Sequence, residues 1–566
     1  MIDRTDPHLL AVARGDAPAE LLLRNARVIN VFTRTLCQAD VAVTGGRIAS
    51  LRGTDAAEVI DLDGAILAPG FIDAHMHVES TMLTPRGFAQ LALPHGTTAA
   101  ILDPHEIANV MGMPGIDMIM QDARDLPLQC WFTASSCVPA SPLETSGYQL
   151  GVGDLTQLLS RTEVIALAEM MNVPGVVNGD PEVLAKVAAG LKTAQVDGHC
   201  PKLRGRGLEA YVASGINSDH ESSTADEAAE KLAAGMTIFI REGTAARNLD
   251  ALLPIVTPAN AHQVCFCTDD RHPSDLHRDG HIDHVIRRAI AMGLNPATAI
   301  AMGSLHAARH FRLRDHGAIA PGYRADMVEI HDLSHLALGR VWAGGCDQHR
   351  IDASSVDWEA ATGTVHLSDS FGVESLAIPG GDGPIHVIGL VPGELITEHL
   401  SRAAATRDAY RVSDPARDLL KIAVIERHGH SGGIGLGFVE GFGLQRGAIA
   451  STVGHDAHNL AVVGCDDQSM VTAAKAVAQC GGGLCVADGD RVIACLSLPI
   501  AGLMTTTDPA TLIAGEDKLY AAAASIGSSY DNPFMPLSFL PLSVIPRLKI
   551  TDRGLIDVDA FRAIGL

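Results

Sequence analysis

The chain has 566 residues, 47% of them hydrophobic, with 56 glycines. That length exceeds one ordinary core and suits two to four domains of a turn-rich globular protein, not a disordered one. Lys plus Arg total 42 against 66 Asp plus Glu, a net charge of −24. A field of that sign repels nucleic acid and anionic membrane, so neither is expected as a partner.

The N-terminal MIDRTDPHLLAVARGDAPAE has no basic stretch followed by a long apolar core, and no signal peptide is expected. No window holds about 18 uninterrupted apolar residues, so no membrane span is expected either. The 11 cysteines are scattered without a Cys-x-x-Cys pair, which fits reduced thiols and a cytoplasmic location.

In chain order, residues 1–20 read as a short helix or an ordered arm. LLLRNARVINVF and DVAVTGGRIASL then read as strands, with Gly45-Gly46 as a hairpin turn. From residue 66 to about 315, apolar runs alternate with helix-period segments, the pattern of βα units around a parallel sheet. Eight runs are counted: AILAPGFIDAHMH, TTAAILDPHE, LQCWFTASSCVP, VIALAEMM, VDGHCP, INSDHE, TIFIREG and VCFCTDD. The fifth and sixth are placed mainly by position. Eight such units predict an α/β fold, a TIM-like (β/α)8 barrel over 66–315, with its chemistry at the carboxyl ends of the strands.

After the barrel, GAIAPGYRADMV, RVWAGG and GTVHLSD read as returning strands. They are expected to pair with the N-terminal ones, so that residues 1–65 and 316–370 build a small β-sandwich domain from both flanks. From 371 to 566, IHVIGLV, LLKIAVIER, AIASTVG, NLAVVGC and GGLCVADGDRVIACLSL surround SMVTAAKAVAQCGG, an amphipathic helix with a glycine stop. A separate C-terminal α/β domain is expected there.

Polar residues fall at the ends of seven of the eight runs: His75 and His77, then Asp103, His105 and Glu106, then Glu169, His199, His220 and Glu221, Arg241 and Glu242, and finally Asp269 and Asp270. Any one aspartate would serve equally as a helix N-cap, and His75-Met-His77 alone could lie in a surface turn. Together they describe one barrel mouth. His75 and His77, two apart on a strand, project the same way and can hold one divalent metal. Glu169 can bridge to a second metal held by His199 and His220. Asp269 can bind the first metal, take a proton from the hydroxide and pass it to a leaving group. This is a layout for metal-assisted hydrolysis at an sp² carbon.

The β flank, the PGFIDAHMH strand and the Asp of CFCTDD resemble the amidohydrolase superfamily. Within it the chain closely resembles the adenine deaminase family, in HMHVESTMLTP, GTTAAILDPHEIANVMG, AEMMNVPGV, DGHCP, INSDHE, CTDDRHPSDL, GHIDHVIRRAI and the C-terminal RHGHSGGIGLGFVEGFGL, STVGHDAHNLAVVG and SLPIAGLM. Strand four carries Glu169 where binuclear members of the superfamily often have a carboxylated lysine; adenine deaminases resemble this chain in that respect. The resemblance implies hydrolytic deamination of adenine to hypoxanthine and ammonia in purine salvage. It also implies two divalent ions, Mn(II) or Fe(II), with Zn(II) compatible with the mixed N/O donors and a further metal site open. Asp269, Glu169 and His220 are the expected catalytic residues, Glu169 being the first choice for the acid. Asp103, His105, Glu106 and Glu221 are the expected substrate contacts. A homo-oligomer is expected, with a dimer favoured.

Several motifs have more than one reading. Asp103-Pro-His105-Glu106 is a structural turn, a substrate contact or an additional metal site. Glu221 orients His220, contacts purine or lies solvated. Asp270 and His272 support Asp269 or cap a helix. His428, His430, His455 and His458 close over the barrel mouth, hold a separate metal, or make interdomain hydrogen bonds. Gly432–Gly437 lacks the Lys-Ser/Thr of a phosphate loop and is discounted. A cyclic-amide hydrolase on the same scaffold is the alternative enzyme. A non-catalytic scaffold would lack ligands, and all the ligand positions are filled.

Overall fold

Eight parallel strands between residues 71 and 267 set the frame of the protein, seen here in a computed structural model that describes residues 2–193 and 195–566. They are β1 (Phe71–Met76), β2 (Thr97–Leu102), β3 (Gln129–Ala134), β4 (Val164–Met170), β5 (Gln195–Gly198), β6 (Ser218–Asp219), β7 (Thr237–Arg241) and β8 (Val264–Cys267). Most are apolar runs buried on both faces, as a parallel sheet covered by helices demands; every residue of β1 and β2 is buried. The helices between them start where their sequences allow: Thr224 caps Ala225–Ala233 by accepting from the Glu227 amide, with Asp226 and Glu227 in the first turn.

Strands β1 to β5 pair in sequence order in one sheet and β6 to β8 in another. The sheet curls until β8 meets β1, where the Asp269 amide donates to the His75 carbonyl (3.0 Å) and the His77 amide to the Asp269 carbonyl (3.2 Å). Between β5 and β6 no ladder forms among the described residues. Asn217 N donates to Val196 O (3.3 Å), and side chains take over the rest of that seam. The result is a curled parallel sheet, a partial barrel, with its carboxyl ends at one mouth.

The two flanks do pair: Met327–Asp332 runs antiparallel to Ile66–Pro69, with Met327 opposite Pro69. They form one seven-stranded mixed sheet where two facing layers were expected. The 12-residue strand Ala19–Asn30 explains this, because it is long enough to pair with Thr35–Thr44 on one edge and with Ala56–Asp61 and Ile66–Pro69 on the other. Gly45 and Gly46 take φ of 55° and 78° in the expected hairpin turn, a conformation that suits glycine. GTVHLSD forms no strand. It runs along the C-terminal region, where His366 N donates to Arg427 O (2.8 Å).

The C-terminal region is an eight-stranded sheet with two long helices, Asp467–Gln479 and Pro509–Ser525. Its strands are antiparallel except where Ile388 pairs with Val439. Connections such as Asp488 to Arg491 are too short for a parallel crossover, so alternation along the sequence here means hairpins. The helix Asp467–Gln479 is capped by Asp466 and stops ahead of Gly481 and Gly482, both at positive φ. Among the described residues no helix is long and apolar enough to cross a membrane.

This region is fastened to the mouth of the curled sheet. The Thr145 amide and hydroxyl donate to Asp552 (2.9 and 2.7 Å), and the Ser141 and Ser543 hydroxyls are 2.6 Å apart.

The seam between β5 and β6 is tight. A Cβ at Gly198 would stand 2.4 Å from the Ser218 carbonyl oxygen. Gly198→Ala is therefore expected to lower unfolding free energy by about 1–3 kcal/mol, the cost of overpacking against backbone, read by denaturant titration. Unchanged stability would show that the seam has slack.

Candidate active site

At the end of β1, alternate residues Asp73, His75 and His77 face one way. Asp73 accepts from the amides of His75 and Thr268 (3.1 and 3.2 Å) and lies 3.0 Å from His281 Nε2, which ties β1 to β8 directly beneath the site. The His77 Nδ1 lies 3.0 Å from the Asp103 carbonyl oxygen. Donation to that carbonyl turns Nε2 of His77 inward as a free lone pair.

Glu169, at the end of β4, is the centre of the cluster. Its Oε1 faces His77 Nε2 (3.3 Å) and His75 Nε2 (3.7 Å), and its Oε2 faces His199 Nδ1 (2.7 Å) and His220 Nε2 (3.2 Å). One carboxylate thus addresses these two pairs of imidazoles with separate oxygens, and His105 Nδ1 also stands 3.6 Å from Oε1. Asp269 Oδ1 stands 3.3 Å from His75 Nε2 and 3.1 Å from His77 Nε2. His75 and His220 are stacked with ring centroids 4.3 Å apart. Asn248 holds the His220 carbonyl (3.2 Å).

All six of these side chains are buried. Burial raises the Glu169 carboxyl, but His220, His199 and His77 outweigh it and hold Glu169 well below the usual carboxylate range. Burial likewise works against Asp269, and Arg241 with His75 and His77 keeps it ionised. His199 is driven down by burial and up, further, by Glu221 and Glu169, reaching about 8. The carboxylate field that favours protonated imidazoles also favours divalent cations.

The donor set fits a metal pair. His75 Nε2 and His199 Nε2 are buried without a hydrogen-bond partner. Single ligand atoms of His75, His220 and Asp269, and of Glu169, His199 and His220, lie within 4.8 Å of one another. Histidine nitrogens and carboxylate oxygens are the donors that Mn(II), Fe(II) and Zn(II) accept. His199 presents Nδ1 to Glu169 in this arrangement.

The other expected residues flank the cluster. His105 Nδ1 lies 3.0 Å from Asp103 Oδ2, and Asp103 Oδ1 accepts from Ser135 (2.7 Å). Asp103 therefore holds His105 and does not line the cavity, whereas His105, Glu106, Glu221 and Asp270 do. Glu106 pairs with His455 (2.7 Å) and with His458, so these two histidines close over the mouth. His428 and His430 instead lie 2.8 and 3.2 Å from the carbonyls of Ala457 and Gly147. His272 turns away to Glu516 (3.2 Å) on the C-terminal helix.

Three participants had no assigned role in the sequence. Arg241, at the end of β7, contacts both Glu221 and Asp269; its place at a strand end was the available signal. Asp456, 3.6 Å from His105 Nε2, and Phe539, stacked on His455 at 4.3 Å, reach the site through interdomain packing that no local pattern announces.

A mouth of parallel strands lined by four histidines and two carboxylates is the site of a metal-dependent hydrolase. Residues 66–345 match the amidohydrolase family, and residues 394–562 match the adenine deaminase C-terminal domain. The chain is 46% identical over 565 residues to an adenine deaminase of Desulfatibacillum aliphaticivorans, covering 99% of each chain. It is 44% identical over 569 residues to one of Oleidesulfovibrio alaskensis, covering all of both, and 46% identical over 558 residues to one of Cereibacter sphaeroides, covering 98% of each. The chain belongs to the adenine deaminase family of amidohydrolases.

The roof of the site comes from the C-terminal region. Leu395, Phe539, Leu542 and Ile545 face the donors across a residual space of about 20 Å³. Leu395 and Phe539 also line a cleft of about 510 Å³. The buried Lys549 ammonium donates to the carbonyls of Leu395 (2.8 Å) and Phe539 (3.0 Å) and so clasps the two roof segments together. Burial pushes this lysine down from 10.5 to about 7. Below pH 7 the folded and unfolded chains both carry the proton, and the cost of burying it is fully present. From pH 7 to 10.5 the folded amine is neutral while the unfolded chain still binds a proton, so the cost falls as pH rises. Relative to Lys549→Met, the wild-type chain is expected to gain up to about 1.4 kcal/mol per pH unit across pH 7–9, measured by urea unfolding. A stability difference independent of pH would exclude this titration.

Proposed function

We propose that this chain deaminates adenine hydrolytically to hypoxanthine and ammonia, as an enzyme of purine salvage in the cytoplasm. The observation that carries the reading is Glu169, whose two oxygens each face a separate histidine pair, in a chain matching adenine deaminases along its full length. In this reading the curled sheet is a closed (β/α)8 barrel over 66–315. The small β domain comes from 1–65 and 316–370, the third domain is 371–566, and the assembled enzyme is a homo-oligomer.

His75, His77 and Asp269 would hold one divalent ion and His199 with His220 the other, with Glu169 shared; Mn(II) or Fe(II) is favoured and Zn(II) compatible. When bound, such a pair supplies Lewis acidity and lowers the pKa of water towards neutrality. The chain's own residues do the rest. Asp269 Oδ1 faces the reacting centre while Arg241 holds Asp269 from the other side. That carboxylate accepts a proton from the attacking water and delivers it to the departing amine. Glu169 has an imidazole against each oxygen and is kept ionised; it is assigned to bridging, not to the acid role. The second proton of water must reach a ring nitrogen. Glu106 and Glu221 are carboxylates lining the cavity, placed for purine contact, with His105 beside Glu106. The apolar roof covers the face of the ring and excludes water. The residual space of about 20 Å³ holds a water but not a purine, so Leu395 and Phe539 move to admit substrate from the cleft.

Metal-loaded protein is expected to convert adenine to hypoxanthine with stoichiometric ammonia, followed by purine absorbance. No turnover of adenine, with hydrolysis of a cyclic amide instead, would replace this reading. Asp269→Asn is expected to lose about 10²–10⁴-fold in kcat, the span typical of general acid–base groups, with folding retained by circular dichroism. Glu169→Gln is expected to lose bound metal as well as turnover; full metal occupancy by elemental analysis would remove the bridging assignment.

A further inference from the structure

The seam between β5 and β6 lies between the two strands that carry His199 and His220, and backbone pairing is nearly absent there. Side chains close it. The Ser218 hydroxyl donates to Asp197 (2.7 Å) and accepts from the Gly198 amide (3.2 Å). The Cys200 amide donates to Asp219 Oδ1 (2.9 Å). Above these sits Lys231, from the helix Ala225–Ala233, with no exposed surface at all. Its ammonium donates to the Cys200 carbonyl (2.7 Å), to Asp219 Oδ2 (2.9 Å) and to Glu227 Oε1 (2.8 Å).

The geometry points to Lys231 as a positioning residue for the second half of the metal site. Three donors on one ammonium meet three acceptors, so the charge is fully satisfied and the contact is directional. One acceptor is the carbonyl of the residue after His199, and another is the side chain of the residue before His220. The ammonium therefore fixes the separation of the two strand ends that carry these imidazoles. On the opposite seam, backbone hydrogen bonds and Asp73 do this work between β1 and β8, and Lys231 takes no part in holding His75 and His77. Groups that orient metal ligands from behind change metal affinity by about 10–100-fold when removed. Replacing Lys231 by an apolar side chain of similar length thus weakens one ion and spares the other.

This inference rests on the two-ion reading above, and the experiment separates the two. Wild-type protein, Lys231→Met and Asp219→Asn are stripped with a chelator and titrated with Mn(II). Bound ions are counted by elemental analysis, and the coupled Mn(II) pair is followed by electron paramagnetic resonance. The wild type is expected to bind two ions and show the coupled signal. Lys231→Met is expected to keep the first ion, to need about 10–100-fold more Mn(II) for the second, and to recover turnover at high Mn(II). A wild type that binds only one ion refutes the two-ion reading itself. A variant that unfolds at lower temperature yet binds both ions with unchanged affinity overturns the positioning role. If Lys231→Met does not fold, Asp219→Asn keeps the side-chain shape while removing the charge that faces the ammonium, and its second-ion affinity decides the matter in the same way.

Discussion

Glu169 is a buried carboxylate enclosed by imidazoles and shut off from bulk solvent, and the surrounding structure is organised to make that arrangement tolerable. An ion taken out of water costs several kcal/mol unless every lone pair and every opposite charge is provided for. Around Glu169 the provision extends outward in alternating sign. Its histidines meet Asp269, Asp269 meets Arg241, and Arg241 meets Glu221. On the other side His105 meets Glu106, and Glu106 meets His455 and His458. A change at one member leaves its neighbour as an unpaired buried charge, so these groups act as a unit and do not contribute separately.

Charge compensation alone does not give the precision that catalysis needs, which is a fraction of an ångström at each ligand. That comes from the strand ends, which are held laterally by different means at two seams. Where β8 meets β1 the backbone still bonds across and Asp73 reinforces it. Where β5 meets β6 the strands are four and two residues long, and the ladder gives way to Ser218, Asp197, Asp219 and Lys231. Glycine at 198 lets the two chains approach this closely. A seam made of side chains replaces several weak backbone bonds with fewer charged ones in a dry interior, where each is stronger.

Much of this was legible in the chain because local signals agreed with the global arrangement. Parallel strands buried on both faces read as plain apolar runs, and most runs break into polar residues at their carboxyl ends. His75 and His77 share a face by the period of two alone. The short fifth and sixth strands left little apolar pattern, and the seam they form is the place where side chains carry the structure. The C-terminal sheet was harder, since strand–helix alternation does not distinguish a parallel sheet from hairpins until the connection lengths are weighed. GTVHLSD has the alternation of a strand but pairs with no ladder, because its partner is the C-terminal region. Asp456 and Phe539 could not be assigned from sequence: their roles arise from which elements meet, a non-local fact, whereas Arg241 stood at a strand end without a role attached to it.

The third region of the chain follows from the same constraint that opens the site's chemistry. A mouth that gathers this many ionised groups is open to water unless something covers it, and the strands themselves supply only the floor. Leu395, Phe539, Leu542 and Ile545 supply an apolar cover, while His455, Asp456 and His458 meet the acidic and basic groups of the floor. The cover is therefore electrostatically complementary at its edge and apolar at its centre, the combination that strengthens the interactions beneath it by excluding solvent. Its two central segments are clasped to each other by a buried lysine between two carbonyls, Lys549, with no carboxylate among its hydrogen-bond acceptors. An uncompensated ammonium is a weaker clasp than the ion pairs of the floor. The apolar centre of the roof is accordingly held by neutral acceptors, whereas the floor is held by ion pairs.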